Sequence, residues 1–295
     1  MSTVVVNGFF VGLVYGLLAV GLVVVYRGSR VINFAYGETG MLAAFLFSDL
    51  RFGTGAAAVS LGAADRGLLV ALPAAVVIGA ALGAAAEILV ARPLRDAPRI
   101  RALVGTFALG ALFLTYAIRR WGLSARYVKP VVDGPGIELA GVRIVPGQLL
   151  ILAVSVAVLA GLAALYRYSA FGLRLRATAL DPYAAGLVGV NVNRTSVATW
   201  ALAGSLAALS AVLIAPLVPF NVLFMTTLTI RALAAALVGG FTSLGGAFTA
   251  GVLLGIAEGV IGYQAPVSGI TDGAIALFVV LLMLARPGGL VRSAY

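Results

Sequence analysis

The sequence holds no cysteine and no histidine, a single lysine (Lys129) and only ten acidic residues among 295. Without cysteine there are no disulfides and no thiol chemistry, and nothing indicates the redox compartment. Without histidine, His-based zinc sites, serine–histidine hydrolysis and histidine proton relays are excluded. A serine–lysine dyad would have to use Lys129, which falls in a polar loop, and Asp272 stands alone near the end of an apolar run, so no intramembrane aspartyl pair exists. No phosphate loop of the Gly-x4-Gly-Lys-Ser/Thr type occurs, so this chain does not hydrolyse ATP by itself. Catalytic and metal-ligating candidates are therefore none, and the chain is expected to bind no cofactor of its own.

What is abundant is apolar. Hydrophobic residues make up 62% of the chain and charged ones 10%, well outside the range of soluble globular domains. Several runs reach the roughly 20 residues that cross about 30 Å of hydrocarbon, and they lack the ten-residue alternation of a membrane strand barrel. The expected fold is all-α, a polytopic transmembrane helical bundle of about eight or nine spans forming one domain over 1–295. The spans fall at 4–26, 31–50, 68–90, 102–118, 149–166, 197–217, 222–240, 247–263 and 275–285. The run at 222–240 is interrupted by Arg231 and is the least regular. The first run is too long for a signal-peptide core and has no basic residues before it, so it reads as a retained span. Between the fourth and fifth spans, Ile137-Glu138-Leu139 and Val142-Arg143-Ile144 alternate around Ala140-Gly141, which predicts a small hairpin.

The net charge of +10 does not point to nucleic acid, because the arginines cluster between apolar runs rather than along one face. The positive-inside rule accounts for them. With the amino terminus outside, twelve basic residues (Arg27, Arg30, Arg92, Arg95, Arg99, Arg101, Arg167, Arg174, Arg176, Arg194, Arg286 and Arg292) face the cytosol. Seven (Arg51, Arg66, Arg119, Arg120, Arg126, Lys129 and Arg143) face outward. The carboxyl terminus is then cytoplasmic.

The cytosolic stretch 167–194 differs from the rest. Asp181 suits a helix N-cap, Pro182 the first helical position and Gly189 a left-handed end. That predicts a helix of about two turns, too short to cross a bilayer: either a handle for another protein or a plain interfacial helix. Inside the apolar runs, polar residues are few: Asn33, Glu38, Glu87, Arg231 and Glu258. Each is costly at mid-bilayer and should face a partner or a wet cavity. Glu38 and Glu258 are the path-lining candidates, Glu87 is expected to snorkel or pair with a loop arginine, and Arg231 to form a structural ion pair. Glycines at four-residue spacing (Gly8, Gly12 and Gly16; Gly251, Gly255 and Gly259) predict close helix packing. The run 239–246, with four glycines (Gly239, Gly240, Gly245 and Gly246) among its eight residues, reads as a helix break that is either a route lining or a tight turn.

These residues resemble a known family over nearly the whole chain. Val31-Ile32-Asn33-Phe34-Ala35-Tyr36-Gly37-Glu38 is similar to an I-N-F-A-H-G-E signature, and Arg176-Ala177, Asp181, Ala185, Gly189, Val190 and Asn191 to an R-A…D…A…G-I-N loop. Positions 236–247 resemble a V-L-G-G-x-G-S-x-x-G-A run, Gly255 and Glu258 its following G-x-x-E, and Pro287-Gly288-Gly289-Leu290 a terminal P-x-G-L/I element. Four matches in order resemble the permease subunits of branched-chain amino acid ABC importers. Tyr36 stands where the family has His, Thr242 where it has Gly and Gly245 where it often has Pro. The resemblance implies a multi-pass inner-membrane permease that moves a branched-chain or related amino acid by alternating access. It also implies a second permease subunit, homologous or identical, two cytosolic ATPase subunits that use the ATP, and an extracytoplasmic solute-binding protein. Asn33, Tyr36, Gly37, Glu38, Gly240, Ser243 and Glu258 would line the path. Asp181, Pro182, Tyr183, Ala184, Ala185, Gly186 and Gly189 would form the ATPase-coupling helix. The rival readings are an ion-coupled secondary transporter, a urea- or amide-type permease of the same class, and a scaffolding subunit with no solute path.

Overall fold

A computed structural model describes residues 1–52, 68–95, 97–139, 141–241, 243–264, 273–274 and 276–277. The linker at 53–67, most of the last expected span, Thr242, Asp272, Arg286, Arg292 and the 287–290 element lie outside the described residues. The elements run α1 (Ser2–Ser29), α2 (Tyr36–Phe52), α3 (Leu68–Ala86) with a π turn at Glu87–Ala91, α4 (Arg99–Trp121), β1 (Ile137–Leu139), β2 (Val142–Ile144), α5 (Pro146–Tyr168), α6 (Ala170–Leu180), α7 (Pro182–Leu187), α8 (Val192–Ile214), α9 (Phe224–Gly239) and α10 (Leu244–Gln264). The fold is an all-α polytopic bundle with one small antiparallel hairpin, paired Ile137 to Ile144 and Leu139 to Val142, as the alternation predicts.

Among the described residues, six helices are long and apolar enough to cross a membrane: α1, α3 with its π turn, α4, α5, α8 and α10. Two further helices, α2 and α9, are shorter. At 1.5 Å per residue α2, with 17 residues, is about 25 Å long, and α9, with 16, about 24 Å, short of the roughly 30 Å hydrocarbon thickness.

For α2 the structure corrects the expected start. Helix begins at Tyr36, not at residue 31, because Asn33 folds the chain into a local turn. Its Oδ1 accepts from the Ala35 N–H at 3.0 Å, and its carbonyl accepts from the Tyr36 N–H at 3.4 Å. Asn side chains compete for backbone groups in this way and keep them out of a helix. Arg30, with a left-handed backbone (φ 56°), ends α1 just before.

The chain divides into two compact units. One comprises Met1–Val23, Lys129–Val156 and the residues from Thr227 on; the other comprises Val24–Val128 and Ala157–Thr226. In the first, α1 crosses α10 through glycine. A Cβ added at Gly8 would lie 2.7 Å from the Gly255 carbonyl oxygen, and one at Gly12 would lie 2.6 Å from that of Val252. Gln148 Nε2 donates to Asn7 Oδ1 at 2.9 Å near the start of the helix.

In the second unit, α8 packs on α3 and α2, again backbone to backbone. A Cβ at Gly83 would meet the Trp200 carbonyl oxygen at 2.3 Å, and one at Gly40 that of Ala207 at 2.7 Å. Without a hydrophobic force between helices in lipid, such small-residue seams are what bring them together. Gly204 is the tightest point, its would-be Cβ only 2.1 Å from the Gly79 carbonyl oxygen. Gly204→Ala is expected to cost about 3 kcal/mol by overpacking, read as a lowered unfolding midpoint in detergent. Gly161→Ala, which meets nothing within 4 Å, should leave that midpoint where it was. An unchanged midpoint for Gly204→Ala would show that the seam does not hold α3 to α8.

Candidate functional site

The residues singled out from the sequence occupy three places. Asn33, Tyr36, Gly37 and Glu38 gather at the broken start of α2. Glu38 is only 8% exposed. Its Oε1 accepts from Thr226 Oγ1 at 3.0 Å, while Oε2, though buried, has no hydrogen-bond partner. The Tyr36 hydroxyl is likewise buried and unpartnered. Thr106 of α4 steadies the break by accepting from the Phe34 N–H at 3.3 Å, and Gly110, one turn on, faces Glu38. At the break Asn33, Ala35 and Tyr36 are buried by the protein, while Phe34 is exposed. Thr106, Gly110 and Thr226 were not legible as site residues; Thr106 and Gly110, four apart on α4, were the only trace of a small, polar face.

The second place is in the other unit. Glu258 of α10 is paired: Arg231 Nη2 lies 2.8 Å from its Oε1, both side chains mostly buried. The Arg231 guanidinium also stands 6.0 Å from the Tyr15 ring centroid. The expected structural ion pair of Arg231 is present, and its partner is one of the two carboxylates expected to line a path. In the 239–246 run, Gly239 ends α9 and Leu244, Gly245 and Gly246 open α10. Gly240 takes φ 79°, the Ser243 N–H donates to the Gly240 carbonyl at 3.0 Å, and Ser243 Oγ caps α10 by accepting from the Gly246 N–H at 3.0 Å.

The third place is the 167–194 stretch, which holds two helices where the sequence predicted one. Ser169 caps α6, its Oγ accepting from the Gly172 N–H at 2.9 Å. Asp181 then caps α7, with Oδ1 accepting from the N–H groups of Tyr183 (2.8 Å) and Ala184 (3.1 Å). Pro182 takes the first position. At the other end, Val190 N–H donates to the Ala185 carbonyl and Gly189 N–H to that of Gly186, with Gly189 at φ 85°; this is a Schellman termination. The knob buries Ala185 and presents Leu180, Tyr183, Leu187 and Val188, each more than two-thirds exposed.

Two arginines not singled out as site residues, together with Glu87, frame the knob. Arg30 Nη2 donates to the Ala179 carbonyl at 3.1 Å, tying the end of α1 to α6. Arg95 Nη1 donates to Asn193 Oδ1 at 2.7 Å, tying the α3–α4 loop to the start of α8. Glu87, fully buried in the π turn, receives Arg92 at 3.0 Å and Arg95 at 2.9 Å. Of the two outcomes expected for Glu87, pairing is observed and snorkelling is not. Arg30 and Arg95 also border a cavity of about 200 Å³ with Ser29, Leu94 and Ser196.

The family model described as branched-chain amino acid transport system / permease component matches residues 4–285. The chain belongs to this family. It is a membrane-spanning permease component of an ABC importer, the component that is not itself catalytic. It is similar to the high-affinity branched-chain amino acid transport system permease protein BraD of Pseudomonas aeruginosa, 29% identical over 298 residues covering 97% of this chain and 94% of the relative. LivH of Escherichia coli, a permease protein of the same description, is 30% identical over 263 residues, 85% of this chain and 83% of the relative. A probable LivH of Methanocaldococcus jannaschii is 27% identical over 258 residues. No solved structure matches the chain.

The Arg231–Glu258 pair supports a direct test. Removing either partner leaves a mostly buried charge alone, at roughly 3 kcal/mol. Replacing both by methionine should restore most of that loss, since a desolvated pair gains little over an apolar one. A double variant as unstable as the sum of the singles would show that the two side chains act independently.

Proposed function

We propose that this permease imports a branched-chain or related amino acid across the bacterial inner membrane, driven by ATP hydrolysed on separate subunits. The names of its relatives support the solute class. In this reading the whole chain is one permease domain that pairs with a second permease subunit, identical or homologous. Two cytosolic ATPases bind below and an extracytoplasmic solute-binding protein delivers the solute above. The amino terminus lies outside and the carboxyl terminus in the cytoplasm, in keeping with the arginine asymmetry.

The observation that carries the mechanism is the α6–α7 knob. A six-residue helix has no stability of its own, yet this one is capped at both ends and leaves a side of Tyr183, Leu187 and Val188 uncovered. An exposed apolar patch of this kind marks a contact surface, and its frame is tied by Arg30 to the end of α1. Asp181, Pro182, Tyr183, Ala184, Ala185, Gly186 and Gly189 form the element that an ATPase grips. Asn33, Tyr36, Gly37, Glu38, Gly240, Ser243 and Glu258 lie along the solute path. Closure of the ATPases on ATP biases access only if the knob is held differently in the two states.

Gly186 offers a clean test, because a Cβ there meets nothing within 4 Å. Gly186→Trp should leave the unfolding midpoint unchanged and lower ATP-driven uptake in proteoliposomes about tenfold, while the ATPases continue to turn over. Uptake at the parent rate removes the coupling role. Uphill accumulation by the permease with an ion gradient and no ATPase subunits refutes the importer mechanism altogether.

A further inference from the structure

The Gly110 position on α4 is not explained by packing. At Gly40, Gly79, Gly83 and Gly204 an added Cβ would strike backbone oxygen at 2.1–2.7 Å, so glycine is required for the helices to approach. At Gly110 the nearest atoms to such a Cβ are Ala35 Cα at 3.4 Å, Glu38 Oε2 at 3.5 Å and the Phe34 carbonyl oxygen at 3.6 Å, which is ordinary contact. The glycine thus leaves a space the size of a methyl group, and two of the three atoms around it are hydrogen-bond acceptors. Glu38 Oε2 has no partner, and the Phe34 carbonyl accepts no hydrogen bond among the described residues.

A buried carboxylate oxygen without a donor, as Glu38 Oε2 is, is costly to leave unsatisfied, and the Phe34 carbonyl beside it is a second acceptor without a partner among the described residues. The group that fits is one of methyl size, cationic, with several N–H donors. A primary ammonium has that size, charge and three donors. We propose that Glu38 Oε2, the Phe34 carbonyl and the bare Cα of Gly110 form the niche that receives the ammonium group of the transported zwitterion between α2 and α4. The proposal rests on the amino-acid importer reading and adds a selectivity to it: solutes lacking a cationic amine gain nothing at this niche. Thr226, by holding Oε1, turns Oε2 toward Gly110. The break at Asn33 is what frees the Phe34 carbonyl from a helical partner.

Gly110→Ala fills the space without a steric clash and buries a methyl group against the carboxylate; Glu38→Gln keeps the shape and removes the charge. The complete transporter, with its ATPases and binding protein in proteoliposomes, would be assayed for uptake of radiolabelled leucine. Each variant should lower the maximal rate about tenfold or more, as loss of a charge-assisted hydrogen bond does. Gly161→Ala should match the parent. In a second measurement, the permease–ATPase complex without binding protein is heated with and without millimolar leucine. Leucine should raise the parent's unfolding midpoint and leave that of Gly110→Ala unmoved. Parent-like uptake by Gly110→Ala, or an equal leucine shift in both, overturns the niche. A parent transporter that takes up no branched-chain amino acid overturns the broader reading instead.

Discussion

Close approach of helix backbones at glycine is the constraint on which the rest of this structure depends. In hydrocarbon the apolar side chains that drive a soluble core together gain nothing over lipid, so helices associate through packing and a few polar contacts. Here the first unit uses Gly8, Gly12, Gly251 and Gly255, and the second uses Gly40, Gly79, Gly83 and Gly204. At each of these the neighbouring backbone occupies the place a side chain would take. Such seams are short-range and unforgiving, which makes the helices they join behave as rigid pieces.

Because packing is carried by glycine, the few charged side chains within the helices are available for other work, and their bonding sorts them. Glu87 is fully buried but receives two guanidiniums, and Glu258 is held by Arg231. Glu87 has both oxygens bonded, while Glu258 keeps its Oε2 buried without a hydrogen-bond partner. Glu38 differs in facing no guanidinium among the described residues: its Oε1 is bonded to the Thr226 hydroxyl and its Oε2 to nothing. On the proposed reading, the ammonium group of the passing solute supplies the donor that this oxygen lacks.

Much of the fold was legible because hydropathy records burial in lipid directly. The long spans, the Asp181-Pro182 start and Gly189 end of α7, and the 137–144 hairpin all follow from local chemistry. The start of α2 was not legible, since Val31, Ile32 and Phe34 continue an apolar run whose helix is broken by what the Asn33 side chain bonds to. The α6 helix was missed because its apolar residues keep no clear period beside Arg174 and Arg176, and its cap at Ser169 is one residue among many serines. The π turn at Glu87–Ala91 rests on shifted hydrogen bonds, among them Arg92 N–H to the Glu87 carbonyl, which no residue pattern announces. For the site, Glu38 and Glu258 were visible as charges in apolar runs. Their partners were not: Thr226 is 188 residues from Glu38, and Gly110 signals only by having no side chain.

The ties around α7 bear on how a push from below would travel. A knob joined to the spans by flexible loops would absorb displacement. This one is joined by a cap shared at Asp181, where α6 ends and α7 begins, and by Asn191, whose Oδ1 accepts from the Arg194 N–H as α8 starts. Arg30 grips the last turn of α6, and Arg95 joins Asn193 at the head of α8 to the buried Glu87 at the foot of α3. Since α3 and α8 are locked at Gly79 and Gly204, a displacement of α7 that α8 follows must carry α3 with it, or break that seam. The helix α2, seated on α8 through Gly40 and Ala207, is carried along, and Glu38 with it. Distance between the knob and the buried carboxylate is therefore no obstacle to coupling: the intervening helices have few ways to yield.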